Sequence, residues 1–154
     1  MKHTKTVVQI AFWLLIVVFF YQQIGFSGEI TPGEKRRIES GAIGAFETIV
    51  SHWKSGRYDE VYEHGDRMSK EMMSKEQFIS EMRVERCVLA SAWETLRDIE
   101  AKMISPKRVR VKARMGFRGT RGLGETRFFT QAFEMTLEEG EWRIELRRVL
   151  YCPY

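Results

Sequence analysis

The most regular pattern in the chain lies at residues 107–117, where charged and apolar side chains alternate one by one. Arg108, Arg110, Lys112 and Arg114 take the even positions; Val109, Val111, Ala113 and Met115 take the odd ones. A period of two predicts a strand with one face in water and the other on a core. The preceding residues keep the period. Trp93, Thr95, Arg97, Ile99, Ala101 and Met103 share one face, and Glu94, Asp98, Glu100 and Lys102 share the other. A three-residue turn at Ser105, Pro106 and Lys107 then predicts a hairpin. Placing Ile104 opposite Arg108 sets Met103 against Val109, Ala101 against Val111 and Ile99 against Ala113. The same register sets Glu100 against Lys112 and Asp98 against Arg114, whereas a slip of one residue would mix apolar with charged neighbours. A third strand is expected over 126–137, with Phe129, Phe133, Met135 and Leu137 on one side. After a tight turn at 138–141, a last strand is expected to carry Trp142, Ile144, Leu146, Arg148 and Leu150 inward, ending at Cys152-Pro-Tyr154.

Upstream the period lengthens to that of a helix. Thr31-Pro-Gly-Glu34 reads as a helix start, with Thr31 as cap, Pro32 in the first helical position and Glu34 completing a capping box. Ile38, Ala42, Ala45, Phe46, Ile49 and Trp53 then form one apolar stripe. Gly41 and Gly44 allow another element to approach closely, and Gly56 suits a left-handed cap. A short helix over 58–63 presents Val61 and Tyr62. Ser74-Lys-Glu-Gln77 is a second capping box, opening a helix over 74–86 with Phe78, Ile79 and Met82 inward. Met68, Met72 and Met73 are expected to fill irregular gaps in the core. Helices first and then a four-strand meander predict an α+β fold, about three helices on an antiparallel sheet.

The first 28 residues stand apart. Lys2 and Lys5 precede an apolar run that extends from Val7 to Phe26 and contains the aromatic cluster Phe19, Phe20 and Tyr21. A short positive leader before such a run has the layout of an export signal with the N-terminus in the cytoplasm. The length suits a retained single-pass anchor, and the aromatic cluster suits the membrane interface. Cleavage near Gly25-Phe-Ser27, giving a secreted domain, is the alternative. Either way, residues 29–154 are expected outside the cytoplasm as one domain, periplasmic or extracellular.

The formal charge of +4 adds little to this picture: without Lys2 and Lys5 the balance is 23 basic against 21 acidic residues. A general nucleic-acid binder would be far more basic, so nucleic acid is not an expected partner. The charge is uneven, however, because residues 107–127 hold eight basic side chains and Glu125 as the one acid.

The capped first helix, the step Gly-Arg-Tyr-Asp-Glu-Val-Tyr62, the helix start Ser-Lys-Glu-Gln-Phe78 and the closing Gly140-Glu-Trp-Arg-Ile144 together resemble the nuclear transport factor 2-like, or cystatin-like roll, superfamily. The resemblance covers about residues 32–152. It implies a cone-shaped roll: a curved sheet wrapped around the first helix, a cavity at the wide end, and frequent dimerisation. That superfamily hosts enzymes, ligand binders and scaffolds, so the likeness speaks to fold and not to function. A further likeness is to the anchored periplasmic scaffold subunit of type IV secretion systems, from which this chain departs in its very short cytoplasmic tail.

Candidate chemistry is sparse. The basic stripe could hold anionic headgroups or an acidic partner, but the favoured reading is structural, with Asp98 and Glu100 neutralising Arg114 and Lys112 across the hairpin; any binding role then falls to Arg108 and Arg110. Arg118, Arg121 and Arg127 could extend the patch. The glycine-rich stretch 116–124 lacks the spacing of a phosphate cradle and reads as a hairpin tip. Cys87 and Cys152, in an exported domain, form either a disulfide or two separate thiols. No metal or cofactor site is expected. His52 and His64 sit beside acids but off the apolar stripe, so they read as exposed polar residues and not as the catalytic pair of a ketosteroid isomerase-like or scytalone dehydratase-like cavity. Arg97 and Arg148 share the parity of apolar faces, where a buried guanidinium needs a partner, and with Trp53 and Trp93 they are the candidates to line a ligand cavity. The expected function is non-enzymatic: binding of an envelope protein, a second copy of the chain or a small ligand. The alternatives are a small cavity enzyme of isomerase or dehydratase type, and a scaffold subunit exposing an apolar face at Val149 and Tyr151.

Overall fold

Residue-by-residue alternation turns into a sheet because one side of it is oily enough to bury. In the computed structural model, which describes residues 30–84, 89, 96–118 and 126–151, four antiparallel strands run in the order β1 (Leu96–Ser105), β2 (Arg108–Arg118), β3 (Thr126–Glu138) and β4 (Glu141–Ile144). Val109, Val111, Ala113, Met115 and Phe117 of β2 are all fully buried. Against them lies α1 (Pro32–Lys54), which buries Ala42, Phe46, Ile49, Val50 and Trp53. Phe46 packs on Phe133 of β3 at 4.9 Å between ring centroids, and Trp53 meets the edge of Phe117 at 6.1 Å. The fold is α+β, as the patterning predicts. Residues Pro32–Tyr154 are a compact unit with its own core.

Two of the expected turns are made as local chemistry dictates. Gly56 follows α1 with φ +70°, a conformation open to glycine at no steric cost. Glu139 and Gly140 both have positive φ, +52° and +86°, the pairing that joins twisted strands by a two-residue turn. The capping box at Ser74 is half made. Its hydroxyl accepts from the Gln77 amide N–H at 3.2 Å, but the Gln77 side chain donates onward to Glu81.

The short helices are tied down by polar contacts. α2 (Tyr58–Glu63) ends at the backbone carbonyl of Glu63, which accepts from Lys70 at 2.8 Å and from Arg143 at 2.7 Å. The Glu63 carboxylate is held below the usual range, chiefly by its hydrogen bond from Lys75, which opens α4 (Lys75–Arg83). Between them lies an additional helix, α3 (Arg67–Met72), whose Asp66 cap accepts from the Ser69 amide at 2.7 Å. Met68 and Met72 on it are 68% and 53% exposed, so they face solvent and do not fill core gaps. Ser69 is instead the inward residue, and its hydroxyl accepts from the Leu146 amide at 3.0 Å.

Three expectations fail at the strand ends. The first hairpin closes on Ser105 opposite Arg108, which leaves Ile104 as an extra, exposed residue. A bulge also lies between Arg97 and Glu100, with Asp98 at φ +50°, so Arg97 pairs with Arg114 and Leu96 with Met115. One extra residue reverses the parity of everything before it. The last strand stops at Ile144, and Leu146–Leu150 form a helix, α5. Leu146 and Val149 are both buried at the three-residue spacing of a helix face. Val149 is therefore core, not an exposed sheet face, while Tyr151 is exposed.

The edges of the sheet are partly closed. Glu39 of α1 accepts from the Met103 amide of β1 at 2.9 Å. At β4, the Ile144 amide donates to His64 and its carbonyl accepts from Asp66, each at 2.9 Å, so Gly65 pairs in parallel with Ile144. The approach is close: a Cβ on Gly65 would lie 2.6 Å from Leu146 Cδ1 and 2.7 Å from its Cγ. Gly65→Ala is therefore expected to cost about 1–3 kcal/mol by overpacking. Gly44→Ala, with nothing within 4 Å of its Cβ on an exposed helix interior, is expected to add about 0.5–1 kcal/mol. Urea midpoints of the two variants measure both.

The apolar run at 1–28, Trp93, Arg121, Cys87 and Cys152 lie outside the described residues. Among the described residues, no helix is long and apolar enough to cross a membrane.

Candidate functional site

A strand with one buried face must present its other face somewhere, and here that face is cationic. Lys102 of β1 and Arg108, Arg110, Lys112 and Arg114 of β2 are all exposed. Register decides what each meets. Lys112 lies opposite Glu100, an opposite-charge pair, but Lys102 lies opposite Arg110 and Arg97 opposite Arg114. Like charges directly opposite each other destabilise a sheet, so two of these three cross-strand pairs oppose the fold.

Two devices temper the repulsion. Glu134 of β3 lies opposite Arg110 and accepts from both Arg110, at 3.0 Å, and Arg108. Those hydrogen bonds hold its carboxyl below the usual range, with Arg108 the larger cause. At the other end, Phe128 lies opposite Gly116, and its ring takes the Arg114 guanidinium at 5.2 Å and that of Arg97 at 5.6 Å. A Cβ on Gly116 would come within 3.0 Å of that ring, so the glycine leaves the space that the Phe128 ring occupies. An aromatic ring against two guanidiniums offsets part of their repulsion while keeping both charges at the surface.

The expected site residues therefore disperse. Arg97 stands on the charged outer face and not on the inner one, because the bulge precedes it in the pairing. Arg148 lies in α5 with its side chain 60% exposed, paired to Glu145 at 3.7 Å. Trp53 is core at 2% exposure. Arg108 and Arg110 share one carboxylate, so the less committed cations of the face are Lys102, Lys112 and Arg114. Phe128 was missed because its parity makes it an outward aromatic; its position opposite a glycine was the available signal.

Away from the sheet face, His52 at the end of α1 and His64 at the end of α2 stack at 5.6 Å with an angle of 24° between rings. They are half-buried, not simply exposed, and His52 Nδ1 is buried with no hydrogen-bond partner among the described residues. Burial, then the neighbouring His52 and Arg143, hold the His64 imidazole below its ordinary pKa; Glu141 and Glu60 pull weakly the other way. Two surface grooves lie elsewhere. One, about 480 Å³, runs along Met72, Met73, Gln77, Leu146, Leu150 and Tyr151. The other, about 610 Å³, is lined by Arg67, Lys70, Glu71, Glu138 and Arg143. Neither is lined by a histidine, by Arg97 or by Trp53. No group of three potential metal ligands occurs among the described residues.

Neither a scan against models of known protein families nor a search of curated proteins finds a match to this chain.

His64 makes stability depend on pH. His64 binds its proton less readily when folded, so the unfolded chain protonates first as pH falls below about 6.5. Stability is fully present above that value and declines below it, until the lower folded-state pKa is reached. Urea midpoints at pH 7.5 are expected to exceed those at pH 5.5, both numbers being chosen to straddle about 6.5. The gap is expected to narrow in His64→Gln.

Proposed function

We propose that the chain is a non-enzymatic binding domain of the nuclear transport factor 2-like kind, exported and held at the cytoplasmic membrane by its N-terminal apolar run. It acts through the exposed sheet face on an anionic partner in the cell envelope. The observation that carries this reading is the pairing of like charges on that face. A surface selected for stability alone would alternate signs across strands, whereas a surface selected for an anionic ligand keeps cations together and relies on the ligand to complete them.

The interior favours binding over catalysis. Ser69 is the one buried polar residue among the described residues, and its hydroxyl is engaged by a backbone amide. An isomerase or dehydratase of this kind would need a shielded acid or imidazole opening on a cavity. The shielded imidazole is His64, and neither groove reaches it. The scaffold reading drew on Val149 as an exposed apolar residue, and its burial in α5 removes half of that argument.

Export and anchoring are tested by joining alkaline phosphatase, active only outside the cytoplasm, after Thr31. Activity that sediments with membranes is the expected result. Activity in the soluble envelope fraction would identify a cleaved leader, and an inactive fusion would overturn export altogether. Mass spectrometry of the exported domain would also show whether Cys87 and Cys152 have lost two hydrogens to a disulfide.

A further inference from the structure

We infer that the exposed sheet face is a docking surface for the phosphate headgroups of an anionic phospholipid bilayer, with Lys102, Lys112 and Arg114 as contact cations and Phe128 as the aromatic that enters the interface. This deepens the preceding proposal by naming its ligand class.

Charge complementarity is the first argument. On β1 and β2 this face carries Arg97, Lys102, Arg108, Arg110, Lys112 and Arg114 against Glu100, with Asp98 exposed at the bulge, and β3 adds Glu134 and, at its far end, Glu138. Successive cations on β2 are about 7 Å apart along the strand, at two residues per repeat. The array is thus a row of separate charges on an open strand face, and none of these cations lines either groove. An extended array of anions matches an extended array of cations.

The second argument is the composition of the end nearest Phe128. A half-buried phenyl ring has two guanidiniums against it, Arg114 at 5.2 Å and Arg97 at 5.6 Å from its centroid. Aromatic rings favour the boundary between headgroups and acyl chains, and guanidiniums favour the phosphates just above it. Thr126, Thr130 and Ala132, the outward neighbours of Phe128 on β3, are small enough to let a flat surface approach. Glu134, the nearest outward acid on β3, is engaged by Arg108 and Arg110.

Proximity is the third. Residues 27–31 separate the apolar run from Pro32, and a link of that length spans at most about 20 Å even when extended. A domain so tethered meets the bilayer at high effective concentration, so even weak headgroup contacts are populated.

The test uses residues 30–154, which contain the whole core and lack the apolar run, so it reports on the sheet face whatever the anchor does. Cosedimentation is measured with vesicles of phosphatidylglycerol mixed into phosphatidylcholine, and with phosphatidylcholine alone. The expected result is partition onto the anionic vesicles only, weakened by added salt. Lys112→Gln combined with Arg114→Gln is expected to weaken it about thirty-fold, and Lys102→Gln alone about five-fold, from the usual gain per cation at a membrane surface. Arg36→Gln combined with Arg37→Gln removes the same charge from exposed positions of α1 and is expected to change little. Equal loss in that control would reduce the effect to net charge and overturn the site. So would binding to neutral vesicles, absence of binding by a domain with its normal urea midpoint, or preference for single-stranded nucleic acid stacked on Phe128. Failure here leaves the phosphatase result untouched, and failure of the anchor leaves this one standing.

Discussion

Everything in this fold is arranged to cover one face of one strand. The five odd residues of β2 from Val109 to Phe117 are fully buried, and each of the four larger ones, Val109, Val111, Met115 and Phe117, contributes about 1.5–3 kcal/mol when removed from water. β1 and β3 flank β2 because its backbone must be paired on both sides. α1 is long because it spans the face from Met103, near one end, to Phe117, near the other. The aromatic contacts of Phe46 with Phe133 and of Trp53 with Phe117 fix its position. The short helices then close what α1 leaves open, through Val61, Phe78, Met82, Leu146 and Val149.

Much of this was legible in the chain. The α1 stripe, the β2 alternation, the central register of the first hairpin and the 139–140 turn follow from periodicity and turn chemistry, because each is a local preference that tertiary packing reinforces. The failures share one cause: parity propagates, so a single unpaired residue corrupts every inference beyond it. Asp98 tolerates the left-handed backbone of the bulge, but nothing about one aspartate announces that it will adopt it. Arg97 was assigned to the wrong face for that reason alone. At the other end, Leu146 and Val149 fit a helix as well as a strand, and a five-residue segment is too short for periodicity to decide. The histidine pair was invisible because its members lie on different elements.

The charged face shows how stability and use can diverge on one sheet. Glu134 is placed where two arginines need it, and Phe128 screens two others without neutralising them. Both devices reduce the cost of crowding cations while leaving most of the charge outside. A salt bridge at every pair would have served folding better and recognition worse. The inner and outer faces of β2 are thus under independent demands, which a period of two keeps apart residue by residue.

The parallel bridge between Gly65 and Ile144 has a further implication. It occupies the free edge of β4, where an incoming strand would otherwise add to the sheet, and the segment that makes it carries His64. Displacing that segment would therefore also separate the stacked imidazoles, and protonating His64 in acid would favour the same displacement. Edge recruitment and proton uptake by His64 at this corner are two routes into the same local opening, each of which favours the other.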